Sequence, residues 1–274
     1  MYGAIFGDIV GSVYEFNNIY KKDFPLFSGS SVFTDDSVMT LAVAEAILSV
    51  TDGETKDGVI DTGRFKSELV KAMKSIGKSY PASGYGTRFL SWLYSETSEP
   101  YGSYGNGSAM RVSPVAWCSR SLDEALVLAK ASAEVTHNHP EGIKGAEATA
   151  GAIYLARNGA TMDEIKDFVK GYYDINFTLD KIRYTYSFNE TCQETVPQAL
   201  EAFFESKSFE DAIRCTISIG GDSDTLAAIT GSVAEAFYGM GQSEREAVRS
   251  RLTPHLLGIL ERFEERFMFF RPLI

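Results

Sequence analysis

Two short acidic stretches hold most of the chemistry that this sequence can offer. Phe33-Thr34-Asp35-Asp36-Ser37 and Gly220-Gly221-Asp222-Ser223-Asp224-Thr225 each bring two carboxylates and a threonine hydroxyl together, just before a run of helical periodicity. Such residues are favoured helix N-caps, but a cap uses a single side-chain oxygen, and each stretch has more. Like charges packed together cost free energy unless a cation offsets them. Oxygen-only donor sets suit hard divalent ions such as Mg²⁺ or Mn²⁺, and two such sets can hold a pair of ions about 4 Å apart, as in two-metal hydrolysis. Capping and metal binding both stand as readings of these residues alone.

Three further groups of residues add to the set. Asp8, Ser12 and Glu15 are spaced four then three, which puts them on one polar face of a first helix, opposite Ile5, Ile9 and Phe16. A polar stripe of this kind usually faces solvent. However, Gly3, Gly7 and Gly11 recur at every fourth position; glycine weakens a helix by about 1 kcal/mol relative to alanine, so the ridge predicts close backbone approach in a crowded centre. Gly105-Asn106-Gly107-Ser108-Ala109-Met110-Arg111 is a glycine-flanked turn able to present N–H groups to a phosphate, although Asn-Gly is often just a turn. Thr136-His137-Asn138-His139-Pro140 has the look of a metal motif, but the one other histidine is His255 and Cys118, Cys192 and Cys215 are dispersed. Zinc needs more nitrogen or sulfur than that, so this segment reads as a substrate-lining loop or a helix terminus.

The elements that must position these groups read as helices. Val38, Leu41, Glu45 and Leu48 share one face, as do Phe65, Leu69, Met73 and Ile76; Leu226, Ile229, Val233 and Phe237; and Leu256, Leu260, Phe263 and Phe267. Ser121 with Glu124, Thr161 with Glu164 and Ser243 with Glu246 fit the capping-box pattern. Only residues 182–188 alternate like a strand, and one strand makes no sheet. Loops are expected at 50–61, 83–107 and 174–195, none long or biased enough for a linker. The fold class expected is all-α, a single multi-helix domain with a central two-metal site.

Composition bounds the partners. Among 274 residues, 26 Lys and Arg against 37 Asp and Glu leave a net charge of −11 with no basic stripe, which argues against binding a nucleic-acid backbone. A diphosphate can still bind where metal ions or helix N-termini supply positive charge. No run reaches about 18 apolar residues, so no membrane span is expected. The first 14 residues lack a basic leader and carry Asp8, and three scattered cysteines suggest no disulfide framework, so the cytoplasm is the expected compartment.

Taken together, Gly7-Asp8-Ile9-Val10-Gly11 with Glu15, Thr34-Asp35-Asp36-Ser37, the Gly105–Arg111 turn, Thr136-His137-Asn138-His139 and Gly221-Asp222-Ser223-Asp224-Thr225 resemble the ADP-ribosylglycohydrolase family. The matches run in family order from about residue 3 to residue 238, singly weak and jointly specific. The resemblance implies one all-helical domain over 1–274 with two Mg²⁺ or Mn²⁺ ions at its centre. The ligands it implies are Thr34, Asp35, Asp36, Asp222, Asp224 and Thr225, with Glu15 as the catalytic acid or base. The activity implied is cleavage at C1″ of ADP-ribose, with an ADP-ribosylated protein or a small ADP-ribose conjugate as substrate. Asn106, Gly107 and Ser108 would hold the diphosphate, and His137, Tyr101 or Tyr104 would flank the adenosine or the distal ribose. Some arginine-directed relatives use a further aspartate that residues 83–93 do not offer, so the linkage stays open. Two alternatives stand beside this reading: a two-metal hydrolase acting on a phosphoester, and a non-catalytic, crystallin-like member.

Overall fold

Helix is the dominant state in the computed structural model, which describes residues 1–52 and 59–268. Among the described residues there is no sheet, only an isolated bridge between Gly105 and Thr191. The chain begins with α1 (Tyr2–Gly11), α2 (Asp35–Thr51), α3 (Thr62–Ser79) and α4 (Thr87–Tyr94). Short α5 (Gly107–Met110) and α6 (Ser113–Cys118) lead to α7 (Leu122–Glu134), α8 (Pro140–Arg157) and α9 (Met162–Lys170). Then come α10 (Leu179–Ile182), α11 (Cys192–Phe204), α12 (Phe209–Ile217), α13 (Ser223–Tyr238), α14 (Gln242–Arg249) and α15 (Pro254–Phe267). None of the described helices is long and apolar enough to cross a membrane.

One continuous apolar core runs from Met1 to Phe263. At its centre lies α13, buried from Ser223 through Ala236 and packed by α1, α8, α11 and α12. Every residue of α1 is buried as well. The glycine ridge makes this possible. A Cβ at Gly3 would overlap the Gly231 carbonyl, and one at Gly7 would overlap the Ala227 carbonyl and stand 2.7 Å from the Ala228 nitrogen. At Gly11 it would stand 2.5 Å from the Ser223 oxygen and 2.6 Å from the Asp224 nitrogen. The α1 backbone therefore lies directly on α13, and the polar end of α1 is brought against the start of α13. A Gly7→Ala variant, opposed by backbone on both sides, is expected to lose about 3 kcal/mol or more. At about 2–4 °C per kcal/mol, thermal melts should show a fall of roughly 6 °C or more, and an unchanged melt would refute the close packing.

The periodic faces are buried as read: Phe65, Leu69, Met73 and Ile76 line the inner side of α3, and Leu256, Leu260 and Phe263 that of α15. Thr161 and Glu164 form a complete capping box. Ser121 caps α7, but the Glu124 carboxylate takes the Arg120 N–H instead of the cap's own. Ser243 lies inside α14 and donates to Glu244, so it is not a cap.

Three readings are corrected. First, α1 stops at Gly11, and Glu15 and Phe16 lie in the turn that follows. Asp8 is fully buried while Phe16 is 80% exposed, the reverse of the helical face expected. The chain leaves the helix because Asn18 takes up the Tyr14 and Glu15 carbonyls (2.7 and 3.0 Å) and so replaces the next helical turn. Second, residues 182–188 form no strand; Ile182 ends α10 and a turn follows. Third, the expected loop at 83–107 contains α4, which buries Phe89, Trp92 and Leu93. The expected loop at 174–195 likewise contains α10 and the first turn of α11. Of the loop expected at 50–61, residues 53–58 lie outside the described residues.

Candidate metal centre and substrate cleft

The N-termini of α2 and α13 meet, and with them the two acidic stretches. The Thr225 hydroxyl donates to Asp36 Oδ2 at 3.2 Å across 189 positions of sequence. One carboxylate oxygen each from Asp8, Asp36 and Asp224 lie within 4.8 Å of one another, as do oxygens from Glu15, Asp222 and Asp224. Two helix starts pointing at one place favour negative charge there, but several buried carboxylates exceed what two dipoles offset.

Asp8 organises the first stretch. Its carboxylate accepts from the Thr34 N–H (2.9 Å) and hydroxyl (2.7 Å), and from the Ser37 N–H (3.1 Å) and hydroxyl. The turn before α2 is thus tied to the far end of α1. Thr34 also caps α2 by accepting the Asp36 N–H. On the other side, Asn106 donates to Asp222 Oδ2 at 2.7 Å, and the Thr225 N–H donates to Asp224 Oδ1 at 3.0 Å. Asn18 bridges the Glu15 turn to the Asp222 loop, donating to the Gly221 carbonyl and accepting its N–H, both at 2.9 Å.

Within the acidic cluster, Asp36 Oδ1 is buried with no hydrogen bond. A buried polar atom left unpaired costs roughly 1–3 kcal/mol, more when charged. An unpaired carboxylate oxygen among other carboxylates and hydroxyls fits a hard divalent cation. The titration behaviour agrees. Burial first, then neighbouring negative charge, raises Asp35, Asp36 and Asp224 well above the ordinary carboxylate range. Asp222 is pushed up to about 7 and Asp8 to about 6, in both cases mainly by burial. Glu15 is raised to about 8 by burial, then by the charges of Asp224, Asp8 and Glu190.

A cleft of about 350 Å³ opens above this cluster. Glu15, Asp35, Asp36, Asp222, Asp224 and Thr225 line it, as do Asn106, Gly107 and His137. Thr34 does not, since its hydroxyl is engaged by Asp8 and Asp36 beneath. Ser108 is turned away: it is fully buried and donates to the Gly142 carbonyl at 2.6 Å. Asn106 faces the cleft floor with its amide N–H₂ already shared between Asp222 and Thr195. His137 Nδ1 is hydrogen-bonded with the Thr136 hydroxyl at 2.7 Å. Burial, reinforced by Arg111 and Arg88, holds its pKa well below the ordinary histidine range, so the ring is neutral at pH 7.

Several lining residues carried no signal in the sequence. Phe188 ends the stretch that reads as a strand and Glu190 follows it in the loop expected at 174–195; the Asn106 N–H donates to the Glu190 carbonyl at 2.7 Å, and both residues line the cleft. Arg88 belongs to the unforeseen α4. Arg111, inside the Gly105–Arg111 turn, is the largest fully buried side chain among the described residues; it donates to the Ser132 carbonyl and the Thr136 hydroxyl and leaves Nε without a partner.

The fold is shared with a solved structure, and curated relatives align over most of this chain. A solved structure described as an ADP-ribosylglycohydrolase-related protein complex superposes with a TM-score of 0.64, at 22% identity over 96% of each chain. ADP-ribosylhydrolase ARH3 of Mus musculus is 26% identical, across 88% of this chain and 83% of that protein. An ADP-ribosylarginine hydrolase of Pseudomonas putida is 27% identical, across 87% of this chain and 69% of its own. The ADP-ribosylglycohydrolase family model spans residues 1–267, nearly the whole of the fold and all of the cleft described above, and the chain belongs to that family.

Proposed function

We propose that this chain hydrolyses the glycosidic bond at C1″ of ADP-ribose in ADP-ribosylated proteins or small ADP-ribose conjugates, releasing ADP-ribose, with residues 1–274 acting as one domain. The observation that carries the proposal is the convergence of Asp36, with its unpartnered buried oxygen, Asp222 and Asp224 beneath a cleft in a member of this family. Asp35, Asp36, Asp222, Asp224 and the hydroxyls of Thr34 and Thr225 would hold two Mg²⁺ or Mn²⁺ ions; a hydroxyl that donates to a carboxylate keeps a lone pair for a cation. Such ions supply positive charge and a water of lowered pKa.

The chain's own residues do the rest. Glu15, protonated at neutral pH in the metal-free protein, sits at the cleft with a proton to give and, once ionised, a carboxylate to receive one. An acid–base group in this position serves a glycosidic bond whose breaking leaves an oxocarbenium-like centre. Asn106 orients Asp222. The backbone of Gly105 and Gly107, which has no side chain between it and His137, lets a diphosphate approach closely. Tyr101, Tyr104 or the neutral His137 would flank the adenosine or the distal ribose.

A phosphoester hydrolase could use the same carboxylates, and product analysis separates the two. Incubation with an ADP-ribosylated peptide should release intact ADP-ribose by chromatography and mass spectrometry; AMP or inorganic phosphate would favour the phosphoester reading, and no release from any linkage a non-catalytic member.

A further inference from the structure

Arg111 is a cation buried in the wall of the cleft without an anion beside it. It is 1% exposed, and among the described residues its acceptors are the Ser132 carbonyl at 3.1 Å and the Thr136 hydroxyl at 2.8 Å, both uncharged. Burial lowers its pKa to about 10, so it stays charged at neutral pH. A buried charge with no partner of opposite sign is costly, which directs attention to what its two hydrogen bonds hold in place.

Donor and acceptor counting gives those bonds a direction. A guanidinium only donates, so the Thr136 hydroxyl accepts from Arg111. Thr136 is fully buried, and among the described residues its own proton has one acceptor in reach, His137 Nδ1 at 2.7 Å. A hydrogen on Nδ1 would leave that hydroxyl proton buried and unpaired, which is unfavourable. Nδ1 therefore accepts, and the neutral ring carries its hydrogen on Nε2. An imidazolium would orphan the same proton and add a positive charge near Arg111 and Arg88. Nε2 in turn faces the glycine turn of the cleft. A Cβ at Gly107 would stand 3.2 Å from it and one at Gly105 3.5 Å, so the two glycines keep this donor uncovered.

We propose that Arg111 is a positioning residue: through the Thr136 hydroxyl it fixes His137 in the Nε2–H tautomer, so that the ring presents a hydrogen-bond donor to a ligand oxygen at the Gly105–Gly107 turn. The choice of ADP-ribose as that ligand rests on the glycohydrolase reading above; the relay itself rests on Arg111, Thr136 and His137 alone. The wall so formed can donate but not accept. Arg111 has no lone pair to offer, and His137 cannot turn acceptor at Nε2 without breaking its bond to Thr136. It therefore favours ligand oxygens, anionic ones most, and disfavours N–H groups.

The test is long-range ¹H–¹⁵N correlation on the full chain with labelled histidine, near pH 7. The chain has three histidines, and a His137→Gln spectrum identifies the resonances of interest. Wild-type His137 should show a protonated Nε2 and an unprotonated, hydrogen-bonded Nδ1. In Thr136→Val the Nδ1 resonance should move to that of an unbonded imidazole nitrogen, and Thr136→Ser should restore it. In Arg111→Met the hydroxyl is free to accept, so the Nδ1–H form should appear; Thr136→Val carries the test if the buried site rejects methionine. Calorimetric titration with ADP-ribose in Mg²⁺ should show affinity about tenfold weaker in Thr136→Val and close to wild type in Thr136→Ser. A wild-type ring protonated at Nδ1, Nδ1 resonances in Thr136→Val or a folded Arg111→Met that match wild type, or unchanged ADP-ribose affinity in Thr136→Val would overturn the proposal. Wild-type protein that binds no ADP-ribose would overturn the glycohydrolase reading, and the tautomer spectra would still decide the relay.

Discussion

Glu15→Gln is expected to lower kcat by about 10²-fold or more, the usual scale for loss of a positioned acid or base, while leaving KM nearly unchanged. A hundredfold is about 2.7 kcal/mol of transition-state stabilisation. The expectation follows from placement. Glu15 lies in a turn pinned to the Asp222 loop by Asn18, half-buried and lining the cleft, and its carboxyl is raised to about 8 by burial and by the charges of Asp224, Asp8 and Glu190. Glutamine keeps the size and polarity and removes the proton traffic. Stability should move the other way: deleting one of several crowded carboxyls should leave the melting temperature of metal-free protein equal to or above wild type near pH 8. Wild-type turnover on a cleavable substrate would remove Glu15 from the chemistry.

The second large effect links metal to pH. Asp8, Glu15 and Asp222 have folded pKa values of about 6, 8 and 7, and Asp35, Asp36 and Asp224 are also raised. A carboxyl with a raised folded pKa binds its proton more tightly in the folded chain than in the unfolded one. It therefore adds stability that is complete below the unfolded pKa of ~4 and is lost as pH rises through the folded value. Metal-free protein should lose stability from pH ~4 to ~8, roughly the span of these shifts. A bound divalent cation favours the ionised carboxylates and reverses the trend. The difference in melting temperature between metal-loaded and chelator-treated protein should widen across that window. At 100 times Kd one site adds about 2.7 kcal/mol, which at about 2–4 °C per kcal/mol is roughly 5–10 °C. Differential scanning calorimetry with Mg²⁺, Mn²⁺ and EDTA at several pH values would measure it. A difference that is flat or narrows with pH would contradict the crowded-carboxylate account.

The helical class was legible in the sequence because burial in this fold follows the 3.6-residue period. Phe65, Leu69, Met73 and Ile76 could be read as one face, and the Gly3–Gly7–Gly11 ridge foretold a close backbone approach, whose partner the structure identifies as α13. The convergence of the two acidic stretches was legible for a different reason: each starts a helix, and more oxygen was present than a cap uses. What could not be read was anything decided by a turn. Glu15 shows a helical spacing to Asp8, but Asn18 draws the chain out of the helix. Glu190 and Phe188 reach the cleft through a backbone bond to Asn106, which leaves no trace in side-chain pattern. Ser108 sits in a turn suited to phosphate, yet its hydroxyl is committed to Gly142 by the packing of α5 on α8.

The most direct measurement is the rate of ADP-ribose release as Mg²⁺ or Mn²⁺ is returned to chelator-stripped protein, with bound metal counted by elemental analysis. The expected result is no turnover in stripped protein and activity that rises and saturates as two ions per chain are bound. Full activity in protein shown to carry no divalent metal would contradict a metal-centred glycohydrolase and leave the acidic stretches as helix caps.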